Sequence, residues 1–226
     1  MNVTHFDDFA RADTAPGTVS AGPQGQAYEV FSSFLLAPDT VTRIRNGRLY
    51  TPPQGTDAVR ASYTMTTAAA AVKRLGAVIE YSQNSETETG VSGYIWAVML
   101  STRRSRFTDE MIHFTGSHRD WKLEIWYPNG TRRTLGSGAF ATPLAFGQKG
   151  VVDLTLLNHT TIRVTVPGGS QSITDADLLR FTNARYPIVE HYIPARTLNI
   201  QQFRAWYYQV DGASALAPAV FAPFEP

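Results

Sequence analysis

Apolar and polar residues alternate along most of this chain in short runs broken by Gly, Pro, Asn and Asp, the period-2 pattern of strands that bury one face. Helical periodicity is nearly absent. The clearest run is Trp121-Lys122-Leu123-Glu124-Ile125-Trp126-Tyr127. Its pattern places Trp121, Leu123, Ile125 and Tyr127 on one face and Lys122, Glu124 and Trp126 on the other, so Trp126 is an aromatic among outward charges. Pro128-Asn129-Gly130 then supplies residues that tolerate positive φ, and Thr131 to Leu135 is expected to return as the hairpin partner.

Two more hairpins follow from the same reasoning. Val151 to Leu157 and Thr161 to Val166 flank Asn158-His159-Thr160 and close on Pro167-Gly168-Gly169; Thr42 to Arg45 and Arg48 to Tyr50 flank Asn46-Gly47, a strong short-range hairpin signal. Further strands are expected at Val59 to Met65, Leu75 to Tyr81, Tyr94 to Leu100, Tyr186 to Tyr192 and Phe203 to Val210, for more than ten in all. One helical turn is expected over Thr174 to Arg180, with Thr174 as N-cap and acidic residues in the first turn. Thr66 to Lys73, with its run of alanines, reads either as a short helix or as a crossing loop.

No linker divides the middle of the chain, so residues 1–211 read as one β-sandwich domain. Residues 212–226 change to a Pro- and Ala-rich composition and read as a tail, with Phe221 and Phe224 as anchors expected to dock on a neighbouring subunit.

Composition narrows the classes of function. Apolar residues make up 43% of the chain, enough for a substantial core, while charged residues are only 17%; the usual charged share is roughly 25%, and a surface this poor in charge suggests contact with other chains. A net charge of +1 provides no field for a polyanion, and no nucleic-acid-binding fingerprint is present. The runs Arg103-Arg104-Ser105-Arg106 and Arg132-Arg133 read as solvated loop charges. Cysteine is absent, which removes disulfides, thiolate metal sites and thiol nucleophiles. The first residues lack the pattern of a signal peptide and no segment approaches a membrane span, so a chain made in the cytoplasm, without membrane insertion, is expected.

The opening Phe6-Asp7-Asp8-Phe9-Ala10-Arg11-Ala12-Asp13, the segment Arg45-Asn46-Gly47-Arg48-Leu49, the hairpins after Trp121 and the closing Arg204-Ala205-Trp206-Tyr207-Tyr208-Gln209-Val210-Asp211 together carry a resemblance. Over nearly its whole length the chain resembles the concanavalin A-like lectin/glucanase sandwich, including the laminin-G-like domains of bacteriophage tail and baseplate proteins. The resemblance implies an all-β fold, a two-sheet antiparallel jelly roll, with first and last strands adjacent. The segment around Phe6 would then pair with Phe203 to Val210 and hide an edge.

The chemistry of the resembling glucanases needs two close carboxylates on one strand face. Their Glu-x-Asp-x-x-Glu strand is missing here, and the clusters Glu86-Thr87-Glu88 and Asp175-Ala176-Asp177 read as a polar loop and a helix start. The histidines His5, His113, His118, His159 and His191 show no metal-ligand spacing, and no G-x-S-x-G elbow exists. No catalytic residue, metal or cofactor is therefore assigned. Calcium alone is considered, at Asp7, Asp8 and Asp211, should the first and last strands meet. Sugar binding would use aromatic faces beside polar groups; the candidates are Trp96, Trp126, Tyr127 and Trp206, and of these Trp126 has the outward position.

These readings lead to an expectation of a non-enzymatic phage tail or baseplate protein, located in the virion. It would be a structural module in a homo-oligomer, a trimer, in contact with other virion proteins and with host cell-wall glycan as its candidate ligand. Two alternatives stay open: a purely architectural subunit such as a capsid decoration or tail collar protein, and a glycan hydrolase or lyase.

Overall fold

A computed structural model describes residues 5–15, 18–32, 42–50, 60–81, 96–104, 110–193 and 202–211. Among these residues fifteen strands run in chain order: β1 His5–Asp7, β2 Glu29–Ser32, β3 Arg43–Ile44, β4 Leu49–Tyr50, β5 Arg60–Met65, β6 Val72–Glu80, β7 Trp96–Ser101, β8 Met111–Gly116, β9 Asp120–Trp126, β10 Arg132–Ala139, β11 Lys149–Leu156, β12 Thr161–Val166, β13 Gly169–Thr174, β14 Tyr186–Ile193 and β15 Gln202–Val210. They form two antiparallel sheets: an eight-stranded one ordered β13-β12-β11-β6-β15-β4-β3 with β1 also on β15, and a seven-stranded one ordered β10-β9-β8-β7-β14-β5-β2. The alternation predicted the strands, and the two sheets form the jelly-roll sandwich that the resemblance implied. The tail with Phe221 and Phe224, and the loop with Glu86 and Glu88, lie outside the described residues.

The core lies between the sheets and is built from one parity of each strand. Leu75, Ala77 and Ile79 of β6 and Trp206 and Tyr208 of β15 face Val98 and Leu100 of β7, Phe114 of β8 and Leu123 and Ile125 of β9, all essentially inaccessible to water. Each fully buried large apolar side chain of this kind contributes about 1.5–3 kcal/mol, and with no disulfide the packing holds the fold.

The hairpins form where the turn residues place them. Asn46 and Gly47 both adopt positive φ (51° and 64°), the requirement of a tight turn between β3 and β4. The opening motif then fastens that hairpin to the body. Buried Asp7 accepts from the Phe9 amide (2.8 Å), holding Phe9 at its unusual φ of 55°, and takes a bidentate grip from Arg11 (2.6 and 2.9 Å). Asp13 accepts the Asn46 amide (2.8 Å), and Thr14 exchanges two bonds with Ile44. The residues that carry the family resemblance thus act as one structural staple. β1 pairs with β15 in the register His5 to Tyr208 and Asp7 to Trp206, so the first and last strands meet as the resemblance implied.

Several local expectations change. The helical turn is a 3-10 helix over Ala176–Phe181, and Asp175, not Thr174, caps it by accepting from the Asp177 amide (2.9 Å). Thr174 is unavailable because it ends β13, opposite Thr161. Thr66 to Ala71 is a crossing loop that carries the chain from one sheet to the other, tied by the Ala68 and Val72 amides to the carbonyls of Arg185 and Ala184. Pro167 and Gly168 do not close the β11–β12 unit; they turn the chain into a further strand, β13.

Candidate functional site

The side chains of the second parity on the seven-stranded sheet point away from the sandwich interior, and there the polar and aromatic residues gather. On β9 the outward row is Lys122, Glu124 and Trp126, as the sequence pattern required. The cross-strand register puts Glu124 opposite His113 of β8 and Trp126 opposite Met111 on one side and Arg132 on the other. His113, Glu124 and Glu190 are buried all the same, at 7%, 6% and 4% exposure, while Trp126 is half-buried.

Glu124 is the hub of this face. Its Oε1 pairs with Lys122 Nζ (2.8 Å) and accepts from Thr134 Oγ1 (3.4 Å), and its Oε2 accepts from Trp126 Nε1 (3.2 Å). Burial raises the carboxyl pKa, yet the Lys122 and Trp126 hydrogen bonds outweigh it and hold Glu124 below its ordinary value, so it is a carboxylate at neutral pH. His113 bridges two acidic groups: Nε2 lies 3.0 Å from Glu190 Oε2, and Nδ1 lies 3.9 Å from Glu124 Oε2 with no hydrogen-bond partner. The imidazole stacks on Trp126 (centroids 4.4 Å, 26° between planes), and the Arg132 guanidinium lies 3.9 Å over the same indole. These two come from the strands on either side of β9. Arg132 is exposed and pairs with no carboxylate among the described residues. Next to this cluster lies an apolar area of Met65, Met99, Met111, Ile188 and the stacked pair Phe31 and Tyr63.

Of the four sugar-binding candidates, Trp126 lies on the outer face. Trp96 and Trp206 are at 0% exposure and belong to the core; Trp96 donates to the Ser117 carbonyl (2.9 Å) and packs edge-on against Phe114. Their strand parity faces the interior, which correlates with burial and not with a binding platform. Tyr127 packs on the core, and its hydroxyl donates to Asp177 (2.6 Å) and accepts from Arg133 Nε (3.0 Å), tying the 3-10 helix to the β9–β10 hairpin. Asp175 and Asp177 are paired with Arg133 and serve as cap and clamp.

The calcium ligands considered do not converge. Asp7 is committed to Arg11, Tyr28 and the Phe9 amide, and Asp8 accepts from the Ala10 amide. Asp211 lies five positions along the chain from Trp206, the partner of Asp7, or about 16 Å away at the rise of a strand. Among the described residues no group of three or more His, Asp or Glu could hold a metal ion.

No family model matches the sequence, and no curated protein matches it. Solved structures do match the fold. The beta-agarase A structure in complex with oligoagarose shares 12% identity, covers 92% of this chain and 91% of its own, and superposes with a TM-score of 0.58. The exoplasmic/lumenal domain of VIP36 in its Ca2+-bound form shares 10% identity over 92% of this chain and 93% of its own, with a TM-score of 0.54. The CBM2 module of the evolved Dit protein of Lactobacillus casei BL23 phage J-1 shares 10% identity over 94% of this chain and 98% of its own, at 0.53. The fold is the concanavalin A-like jelly roll.

Within this jelly roll, sequence reasoning missed the buried trio on the outer face. It placed Trp126 and Glu124 on the outward face by parity but not the burial of Glu124, because alternation reports the face of a residue and not what covers that face. His113 and Glu190 come from β8 and β14, 77 residues apart, and meet diagonally across β7, with Glu190 opposite Ala97 and His113 opposite Met99. No spacing rule along the chain links them. Asp120 and Glu124 do satisfy the same-face spacing on β9, but Asp120 accepts from Ser117 Oγ (2.5 Å) and is held in the β8–β9 turn.

Proposed function

We propose that this jelly roll is a glycan-binding module of a bacteriophage tail or baseplate, carried in the virion as a structural protein and presenting the outer face of its seven-stranded sheet to a host-wall polysaccharide. The observation that carries the reading is the half-buried Trp126 beside a set of fixed polar groups on an otherwise apolar sheet face. An amphipathic aromatic with a few oriented donors and acceptors is what a pyranose ring requires: its C–H face packs on a π-surface while its hydroxyls find partners. Here the donors are Arg132, Lys122 and Thr134; Glu124 holds Lys122 and Thr134 in place, and Arg132 rests on the indole. A sugar ring either takes the place of the Arg132 guanidinium on the indole or hydrogen-bonds to its free N–H groups.

Two fold neighbours, beta-agarase A in complex with oligoagarose and the CBM2 module of the phage J-1 Dit protein, support this reading at the level of fold. Binding is favoured over bond cleavage because both oxygens of Glu124 are engaged and the imidazole of His113 stands between Glu124 and Glu190. That leaves, on this face and among the described residues, no pair of carboxylates facing each other across a substrate gap.

The test uses the tryptophans themselves. Trp96, Trp121 and Trp206 are buried and Trp126 alone of the four is half-buried, so acrylamide quenching reports on Trp126. A panel of host-wall polysaccharides should include one that protects the fluorescence and retards the protein in affinity electrophoresis, with both effects lost in Trp126→Ala. Quenching and mobility unchanged across the panel would instead leave the purely architectural role.

A further inference from the structure

The two sheets expose their edges very differently. On one flank the edges are short among the described residues: β3 has two residues and β2 four. On the other flank lie β10 and β13, eight and six residues long and exposed over most of their length. An open edge offers unpaired N–H and C=O groups to any other strand, and monomeric proteins block it with charge, proline, a bulge or brevity. β10 carries such guards. It has Arg132 and Arg133, and a bulge between Thr134 and Gly136 breaks its register. β13, Gly169-Ser170-Gln171-Ser172-Ile173-Thr174, has no charge and no proline, and it pairs with β12 over all six positions without a shift.

A second observation falls at the same place. The exposed large apolar side chains among the described residues are Phe146, Leu157 and Leu179, at 43%, 46% and 59%. Two of them flank the C-terminal end of β13: Leu179 lies in the 3-10 helix that follows it, and Leu157 bonds back to Thr161, the partner of Thr174.

We propose that β13 is an assembly edge, and that a second copy of this chain adds its own β13 antiparallel to it, making one continuous sheet across a two-fold axis. The occupant follows from self-complementarity. Opposite residues in an antiparallel pair share a face, so an axis at Gln171 sets Ser170 against Ser172 and Gly169 against Ile173, with small neutral partners throughout. The same axis brings the Leu157 and Leu179 end of one copy beside the Pro167–Gly168 turn of the other, where exposed Ala141 approaches Gly168. A charged partner would find nothing to pair with on this strand. The proposal does not rest on glycan binding.

Sedimentation velocity on the full chain tests it. The expected result is a species of twice the 24.9 kDa chain mass, or a higher multiple built on that pair, with slow hydrogen exchange at the amides of residues 169–174. Gln171→Lys and Gln171→Glu each place like charges beside the axis and should halve the mass of that species. An equimolar mixture of the two should restore it, which also shows that both variants are folded. A monomeric wild type at tens of micromolar, an unchanged mass in both variants, or a mixture that stays dissociated would each overturn the proposal.

Discussion

Mild acid should destabilise this protein through two histidines before most of its carboxylates titrate. His191 on β14 faces the interior between the sheets, at 1% exposure, with its ring edge-on to Phe203 and its Nε2 without a hydrogen-bond partner. Burial alone lowers its pKa from 6.5 to about 3. His5, packed among Tyr28, Trp206 and Tyr208, is lowered from 6.5 to about 4, chiefly by burial and in part opposed by the charge of Asp7. In the unfolded chain both take up a proton below about pH 6.5, whereas the folded chain keeps them neutral. The unfolded state therefore binds more protons, and stability falls as pH falls through this window. Between pH 7.5 and pH 5 each histidine should cost about 2 kcal/mol, together about 4 kcal/mol of a total that for domains is on the order of 5–15 kcal/mol. Glu124, Asp175 and Asp177 have lowered pKa values and contribute mainly below this range. Urea unfolding followed by tryptophan fluorescence at pH 7.5, 6 and 5 measures the effect. His191→Leu should remove about half of the pH dependence. A stability change under about 1 kcal/mol between pH 7.5 and 5 would refute the reasoning, as would a His191→Leu variant that keeps the full dependence.

Two other perturbations test the packing. Arg11→Ala strips the fully buried Asp7 carboxylate of its counter-charge and leaves only the Tyr28 hydroxyl and the Phe9 amide; breaking a pair of this kind costs about 3–5 kcal/mol, so the melting temperature should drop on the order of 10 °C, and a drop below about 3 °C in a thermal melt contradicts the staple. Gly76→Ala places a Cβ 2.5 Å from both the Tyr207 hydroxyl and the Val152 carbonyl oxygen. Because one of those atoms is backbone, the loss should be about 2–3 kcal/mol or more, read from the urea midpoint, and an unchanged midpoint shows that the β6–β11 pairing can spread.

The fold was legible where local chemistry and burial agree. Asn46-Gly47 and Pro128-Asn129-Gly130 set their turns by φ preference, and the β9 row sorted itself by parity. β8 was missed because Met111-Ile112-His113-Phe114-Thr115-Gly116 is buried on both faces, and a strand so placed has no reason to alternate. β13 was missed for the opposite reason: an exposed edge needs no apolar parity, so Gly-Ser-Gln-Ser reads as a loop. The same blindness affected the site. Parity placed Trp126 on the outer face, while Trp96 and Trp206 are aromatics of the core and Tyr127 packs against it, and the pairing of His113 with Glu190 depends on strand order, which no local pattern encodes.

The positions that mark the fold and the positions open to a ligand are physically separate in this chain. Asp7, Phe9, Arg11, Asp13 and Asn46 close a turn and staple a hairpin, and every polar group named there has an internal partner. A ligand can gain little from atoms already satisfied, since it would have to break one bond to make another. On the outer face of the seven-stranded sheet the balance is different: the Arg132 guanidinium rests on an indole, and among the described residues its N–H groups are uncommitted and His113 Nδ1 lacks a partner. Those atoms, not the motif that reveals the fold, are where binding free energy remains to be gained. A ligand-binding measurement should therefore respond to substitution at Trp126 and Arg132 and stay unchanged at Asp13, where only stability should move.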